Sequence, residues 1–431
     1  MTRYARGVRT MRIPGCTANR IGRSRPSALL LPDGVESDAL ILLVARGSRG
    51  MCDGFIAVLL PGYLFALGFG QLAVGLINTN TLFGSAFATI LIGLAGNRFA
   101  SRGLLRFAAA LMMATGLAFA GLSSLWPLLI AAFVGTLNPS SGDVSLFLPL
   151  EHAKLAESAT GDARTALFAR YSLVGALSAA LGALAAGLPD WIATYSAASS
   201  LTAMRAMFIV YSTTGIIIWI LYRRLPAHHS TADAPRVLLG LSRGIVTRLA
   251  LLFSVDAFAS GLLVNSLLTL GLIQRFGLSL GAAGQFLFWA GLLSAGSQLA
   301  ATPLSRRIGL LNTMVFTHIP SSVCLIAAAF SPSLGLTFAL LLVRSALSQM
   351  DVPTRSAYVM SVVTPGERSA AASFTAVPRS LAAALAPTLS GALLSLGWLG
   401  APLVACGALK IAYDLSLPAA FRHVKPDRGS S

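Results

Sequence analysis

Charge is what this chain has least of. Only 11% of its 431 residues are Asp, Glu, Lys or Arg, against about 25% in a soluble domain, while 55% are hydrophobic and mean hydropathy is +0.75. A surface so poor in charge is not built to face water. Lysine is confined to Lys154, Lys410 and Lys425, and no G-x-x-x-x-G-K-[ST] phosphate loop occurs, so any use of ATP would need a separate subunit. The four cysteines, Cys16, Cys52, Cys324 and Cys406, lie far apart, with no Cys-x-x-Cys and no histidine at ligand spacing, which argues against a zinc site and a disulfide framework. Histidine is equally sparse. His152, His228, His229, His318 and His423 do not cluster with carboxylates as a membrane-embedded transferase would need, and Glu151 beside His152 reads as a solvated turn. His228 and His229 read as part of an exposed polar segment. No cofactor and no metal is called for.

What the chain has instead is apolar runs of about twenty residues, the length that crosses a hydrocarbon layer of about 30 Å at 1.5 Å per residue. Turn residues and charges place spans near 50–70, 74–96, 104–122, 126–149, 166–187, 203–222, 248–272, 279–303, 311–330, 333–359, 371–396 and 398–418. The fold class is therefore an all-α polytopic membrane protein with about twelve transmembrane helices. Its net charge of +17 would suggest nucleic acid in a soluble protein. Here the basic residues sit in short loops and tails without interleaved aromatics, so no nucleic-acid partner is expected.

Nearly all of the 32 Lys and Arg residues fall on one alternating set of segments, leaving Arg205 and Arg275 on the other. The positive-inside rule then puts both termini in the cytoplasm. The excess of Arg over Lys suggests a bacterial source and its inner membrane. Residues 1–46 read as a basic tail whose only apolar run, Ala28 to Leu31, is too short for a signal-peptide core. Its first 37 residues are either a disordered tail or an over-long predicted start. The organisation that follows is a six-helix half over 47–222, a polar linker at 223–247, a second half over 248–418 and a tail at 419–431.

The halves repeat. Asp53 and Asp256, the basic loops at Arg98 and Arg307, Asp143 and Asp351, and the turns at Arg164 and Arg368 recur in order at spacings of 203 to 209 residues. Two such halves, with a basic loop after the second span of each, resemble the major facilitator superfamily over roughly residues 47 to 420. That family's loop reads G-x-x-x-D-R-x-G-R-R. This chain has Gly93, Asn97 in place of Asp, Arg98, Ala100 in place of Gly, and Arg102, with a remnant at Arg306, Arg307 and Gly309. In the family these charges latch the halves in one state, so Gly93, Asn97, Arg98, Arg102, Arg306 and Arg307 are the expected conformational-switch residues. The missing Asp puts the latch in doubt. Gly175, Gly182 and Gly187 faintly resemble the glycine pattern of proton-coupled exporters.

An ionisable side chain inside a bilayer is costly, by about 2.5–3.5 kcal/mol at a helix centre on insertion scales, so each one needs a reason. Arg344 is the deepest, flanked by Leu342, Val343 and Ala346, and is a candidate for substrate-anion binding, proton coupling or a structural ion pair. Asp256 in span 7 is its proposed cavity partner, with a gate position as the alternative. Asp351 and Arg355 stand at i and i+4, as a local pair would. Asn138 and Asp143 flank Pro139-Ser-Ser-Gly142, a cluster that must break span 4 and expose carbonyls. Lys410 and Asp414 read as a pair near the inner interface, and His318 as a packing residue rather than a proton relay. Asn265, nine residues beyond Asp256, falls on the opposite face of a continuous helix.

These features lead to a secondary transporter that moves a small organic or amphiphilic solute by alternating access, coupled to protons, with export favoured over uptake symport or facilitation. It is not expected to be an enzyme. A membrane-embedded transferase is the reading from another class. Its partners are the solute, protons and the lipid bilayer, and the chain is read as a monomer.

Overall fold

The computed structural model describes residues 38–95, 100–140, 145–159, 161–226, 240, 242–364 and 367–421, and every regular element there is a helix. The first half contains α1 (Asp38–Ala66), α2 (Gln71–Ala95), α3 (Ser101–Gly121), α4 (Leu125–Val134), α5 (Phe147–Ser158), α6 (Gly161–Ala185), α7 (Leu188–Tyr195) and α8 (Ser200–Arg223). The second contains α9 (Arg243–Gly261), α10 (Asn265–Phe276), α11 (Leu280–Ile308), α12 (Leu310–Phe330), α13 (Leu334–Ser348), α14 (Asp351–Val362), α15 (Arg368–Ser395) and α16 (Ala401–Phe421). Among the described residues nine helical stretches are long and apolar enough to cross a membrane. Spans 4 (α4–α5), 8 (α11) and 10 (α13–α14) complete twelve crossings, six in each half.

Composition decides which faces turn outward. Phe107, Ile130, Leu251, Leu299 and Phe316 are each more than 60% exposed, as side chains facing lipid should be. Trp126, Trp191, Tyr195 and Trp398 lie exposed near the helix ends remote from the chain termini, where amphipathic rings suit a membrane interface. Starting at that same end, α8, α11 and α13 are capped by Ser199, Ser279 and Ser333, whose hydroxyls accept from Thr202, Ala282 and Leu336 amides.

The first span differs from expectation. It begins at Asp38 rather than near 50, and so carries Arg46 and Arg49 into the packed interior. The sequence hides this because two arginines look like a loop, whereas here Arg49 pairs with Glu151 and Arg46 lies against the Tyr171 ring. Close packing of α1 on α6 explains the glycines of α6. A Cβ at Gly182 would collide with the Met51 backbone, and one on Gly50 would fall 2.7 Å from the Gly175 carbonyl. Gly175 and Gly182 therefore serve helix contact.

Three spans are broken. Span 4 is interrupted between Val134 and Phe147, where Pro139 lies. Span 10 changes helix at Gln349 and Met350, just before Pro353, which lacks the N–H that would return to Gln349. Span 7 breaks at Leu262 to Val264. Asn265 therefore starts a new helix, and the helical-face argument that separated it from Asp256 fails.

The halves meet at the end away from the termini, α2 against α15, α6 against α11, and α1 against α10. Gly75 and Gly391 let α2 and α15 touch, since a Cβ on Gly75 would sit 2.5 Å from the Pro387 carbonyl. Thr79 accepts from the Thr388 hydroxyl at 2.8 Å, Asn78 accepts from Ser266 at 2.6 Å, and the Ser266 amide donates to the Pro139 carbonyl at 3.2 Å. At the other end, Glu367 before α15 accepts from the Gly240 and Ser242 amides and from Thr364. Hydrogen bonds from Ser242 and Gly240 lower its carboxyl from the ordinary 4.5 to about 2.

Candidate functional site

Between the halves, on the termini side of the seam, lies a cavity of about 430 Å³. Helices α1, α6, α9, α10, α11, α13, α14 and α16 contribute to it, along with Ser140 from the break in span 4, His318 of α12 and both Asp256 and Asn265.

Its second-half wall is a buried ionic cluster. Asp256 of α9 accepts from Arg355 of α14 at 2.8 Å and from Lys410 of α16 at 2.8 Å. Arg355 also grips Asp351 one turn back, at 3.0 Å. His318 stands between two carboxylates, with Nε2 3.5 Å from Asp351 and Nδ1 3.3 Å from Asp414. The other Asp414 oxygen, Oδ2, has no partner among the described residues. Three carboxylates thus face two permanent cations and one imidazole. The cluster is neutral when the imidazole is protonated and carries a net negative charge when it is not.

The first half holds a smaller cluster with the signs reversed. Arg49 of α1 pairs with Glu151 of α5, which also accepts from the Tyr171 and Tyr222 hydroxyls, and its guanidinium lies over the Phe147 ring at 4.1 Å. Arg49 and Asp256, and Glu151 and Arg355, stand at the spacing that relates the halves. The ion pair joining spans 1 and 4 therefore recurs between spans 7 and 10 with its charges exchanged.

Two cavity cations stay outside these clusters. Arg344 of α13 lines the cavity, and its guanidinium makes no hydrogen bond or ion pair among the described residues. Arg46 of α1 lies 5.4 Å from the Tyr171 ring centroid, and its Nε has no hydrogen-bond partner among the described residues.

The structure sorts the sequence candidates. Arg344, Asp256 and Asp351 come together at the cavity, but Asp256 bonds Arg355 and Lys410 rather than Arg344. The Asp351–Arg355 pair forms as expected. Asn138 is buried against Asp53, its amide 3.5 Å from that carboxylate, with Ser140 rather than Asn138 at the cavity surface. Asp143, Asn97 and Arg98 lie outside the described residues. Gly93 is in the last turn of α2, Arg102 in the first of α3, and Arg306 and Arg307 in the exposed last turn of α11, which Gly309 closes at a φ of 89°.

Three readings are corrected. Lys410 and Asp414 are not an interfacial pair, because α16 turns both into the cluster, towards Asp256 and His318. His318 bridges carboxylates from two other helices. Glu151 is fully buried in an ion pair rather than in a solvated turn, since α5 continues to Ser158. Arg49, Tyr171 and Tyr222 had gone unread, hidden by a first span placed too late.

The sequence matches the Major Facilitator Superfamily across residues 42–343, most of the chain. The chain belongs to the major facilitator superfamily. A Saccharomyces cerevisiae relative, the uncharacterized membrane protein YJR124C, is 24% identical over 420 residues, covering 89% of this chain and 94% of the yeast protein. The inward-open xylose transporter XylE from E. coli shares the fold at a TM-score of 0.71 and 14% identity, covering 91% of this chain and 98% of that one. The nucleoside transporter NupG does so at 0.70 and 14%, covering 90% and 100%. At these identities the structural likeness carries the fold alone. As a member of the superfamily, the protein is a multi-pass membrane transporter of a solute, and the cavity lies where its two halves meet.

Proposed function

We propose that this superfamily member is a proton-coupled secondary transporter of a small organic solute, loaded in the cavity between its halves. One observation carries the reading. The cavity wall contains a buried cluster whose charge balance turns on a single imidazole, His318, set between Asp351 and Asp414 and linked through Asp351 and Arg355 to Asp256. A proton gained or lost there changes the electrostatics of α9, α12, α14 and α16 together, and these helices make up much of the half that must rock. The distribution of basic residues supports cytoplasmic termini, and the excess of Arg over Lys supports a bacterial inner membrane. The seam then closes the outer side, and the cavity faces inward.

Alternating access is tested by spin labels at Thr165 and Thr247, exposed positions near the starts of α6 and α9. In lipid vesicles two distance populations are expected, and their ratio should change with pH. A single distance at every pH and in every solute mixture would rule out the transport cycle.

A further inference from the structure

The cavity contains more cations than its own carboxylates satisfy. Of its charged lining residues, Asp256 and Asp351 are taken up by Arg355, Lys410 and His318, and Arg46 has the buried Asp53 carboxylate of its own helix nearby, which leaves Arg344 without an acidic partner among the described residues. A guanidinium held in a membrane interior with no counter-charge is costly, and the cost is removed by whatever anion occupies the space in front of it. Resting on the transporter reading above, we infer that the solute is an organic anion whose carboxylate docks on Arg344.

Position supports a division of labour between the two arginines. Arg344 is ten residues into α13 from the seam end, roughly 15 Å along the axis and so near the middle of the bilayer. Arg46 is eight residues into α1 from the termini end, roughly 12 Å, and therefore nearer the cavity mouth. Arg46 draws anions inward and Arg344 holds them. The guanidinium fork matches a carboxylate in two parallel hydrogen bonds, which fixes orientation as well as charge. Around it Leu263, Val264, Leu268, Leu287 and Ala290 offer an apolar wall for the solute's body, and Gln298 and Gln349 supply neutral hydrogen-bonding groups. A neutral analogue would leave Arg344 buried and unpaired, so discrimination between an acid and its amide should be strong.

The test uses the full-length protein in lipid nanodiscs and a library of matched pairs, each a small aromatic or aliphatic carboxylic acid and its primary amide. Thermal stabilisation is read for the wild type, R344Q and R344K, with the Thr165–Thr247 label distance measured alongside. Acids should stabilise the wild type while their amides do not. R344Q should lose at least about tenfold in affinity with its own melting intact, and R344K should retain part of the binding. If amides stabilise as well as acids, if R344Q binds acids as tightly as the wild type, or if no acid binds, the assignment is wrong. Label distances that still exchange in those cases leave the transporter reading standing. Acids that bind while the distance never changes leave the anion site standing and remove the transport cycle.

Discussion

Lys410, near the middle of the last span, donates to Asp256 on the seventh span at 2.8 Å and so ties the end of the second half to its beginning. Asp256 is shared with Arg355, so either cation can be lost without leaving the carboxylate bare. The first-half pair has no such reserve of charge. Glu151 has one cation, Arg49, and two neutral tyrosine hydroxyls.

The E151Q variant should therefore be the more damaging. It strands the Arg49 guanidinium in a buried site, at a cost of about 3–5 kcal/mol. K410M should cost less, about 1.5–3 kcal/mol for a charge-assisted hydrogen bond, because Arg355 still holds Asp256. Reversible unfolding in mixed micelles checks the order. Equal losses would mean that the two clusters are equally buffered.

H318Q removes the imidazole that stands between Asp351 and Asp414 while keeping a polar side chain. The wild-type populations of the Thr165–Thr247 distances should change by about tenfold between acid and mildly alkaline conditions. In H318Q they should stay within about twofold across the same range. A variant that keeps the full pH response would move the coupling proton elsewhere in the cluster.

Glu367 offers a second, independent pH dependence at the linker. Its carboxyl is lowered to about 2 by hydrogen bonds from Ser242 and Gly240, so its hold on them is fully present above the ordinary 4.5 and is lost as pH falls through about 2. E367Q should mimic the acid state at neutral pH. Faster hydrogen exchange at the Gly240 and Ser242 amides, with the rest of α9 unchanged, is the expected result.

Gly75 tests the seam. G75L places a side chain where the Pro387 carbonyl and Gly391 now sit, so α2 and α15 must part. The Thr165–Thr247 distance should shift towards the shorter population, as the termini end closes when the seam opens. An unchanged distribution would show that α2 and α15 do not set the balance.

Much of the architecture could be read from the sequence, because long apolar runs, alternating basic loops and a repeat near 206 residues are properties of the chain alone. The break in span 4 was also legible, through Pro139, and the Asp351–Arg355 pair through its i, i+4 spacing, whereas the break in span 10 was not foreseen. The clusters were not. His318, Lys410 and Asp414 take partners from helices remote in sequence, and nothing in their local neighbourhood reveals which helix face turns inward. Arg49 and Glu151 were masked differently. Each lies just beyond an expected span boundary, where a charge is normally a sign of water. Asn265 shows the converse error, since a helical-face argument holds only while the helix is continuous.

The isolation of Arg344 has an electrical consequence. While the seam is shut, the cavity shares the potential of the termini side and most of the membrane voltage drops across the seam. When the seam opens and the other end shuts, the same cavity takes the opposite side's potential. With His318 protonated and its cluster neutral, the uncompensated Arg344 guanidinium thus carries a positive charge through the field each time the empty protein switches, worth about 2.3 kcal/mol per 100 mV, and a bound monoanion cancels it. Label-distance populations in vesicles under an imposed potential should then shift for the empty carrier and stay fixed for the loaded one, so that voltage sets the return stroke and leaves the delivery stroke alone.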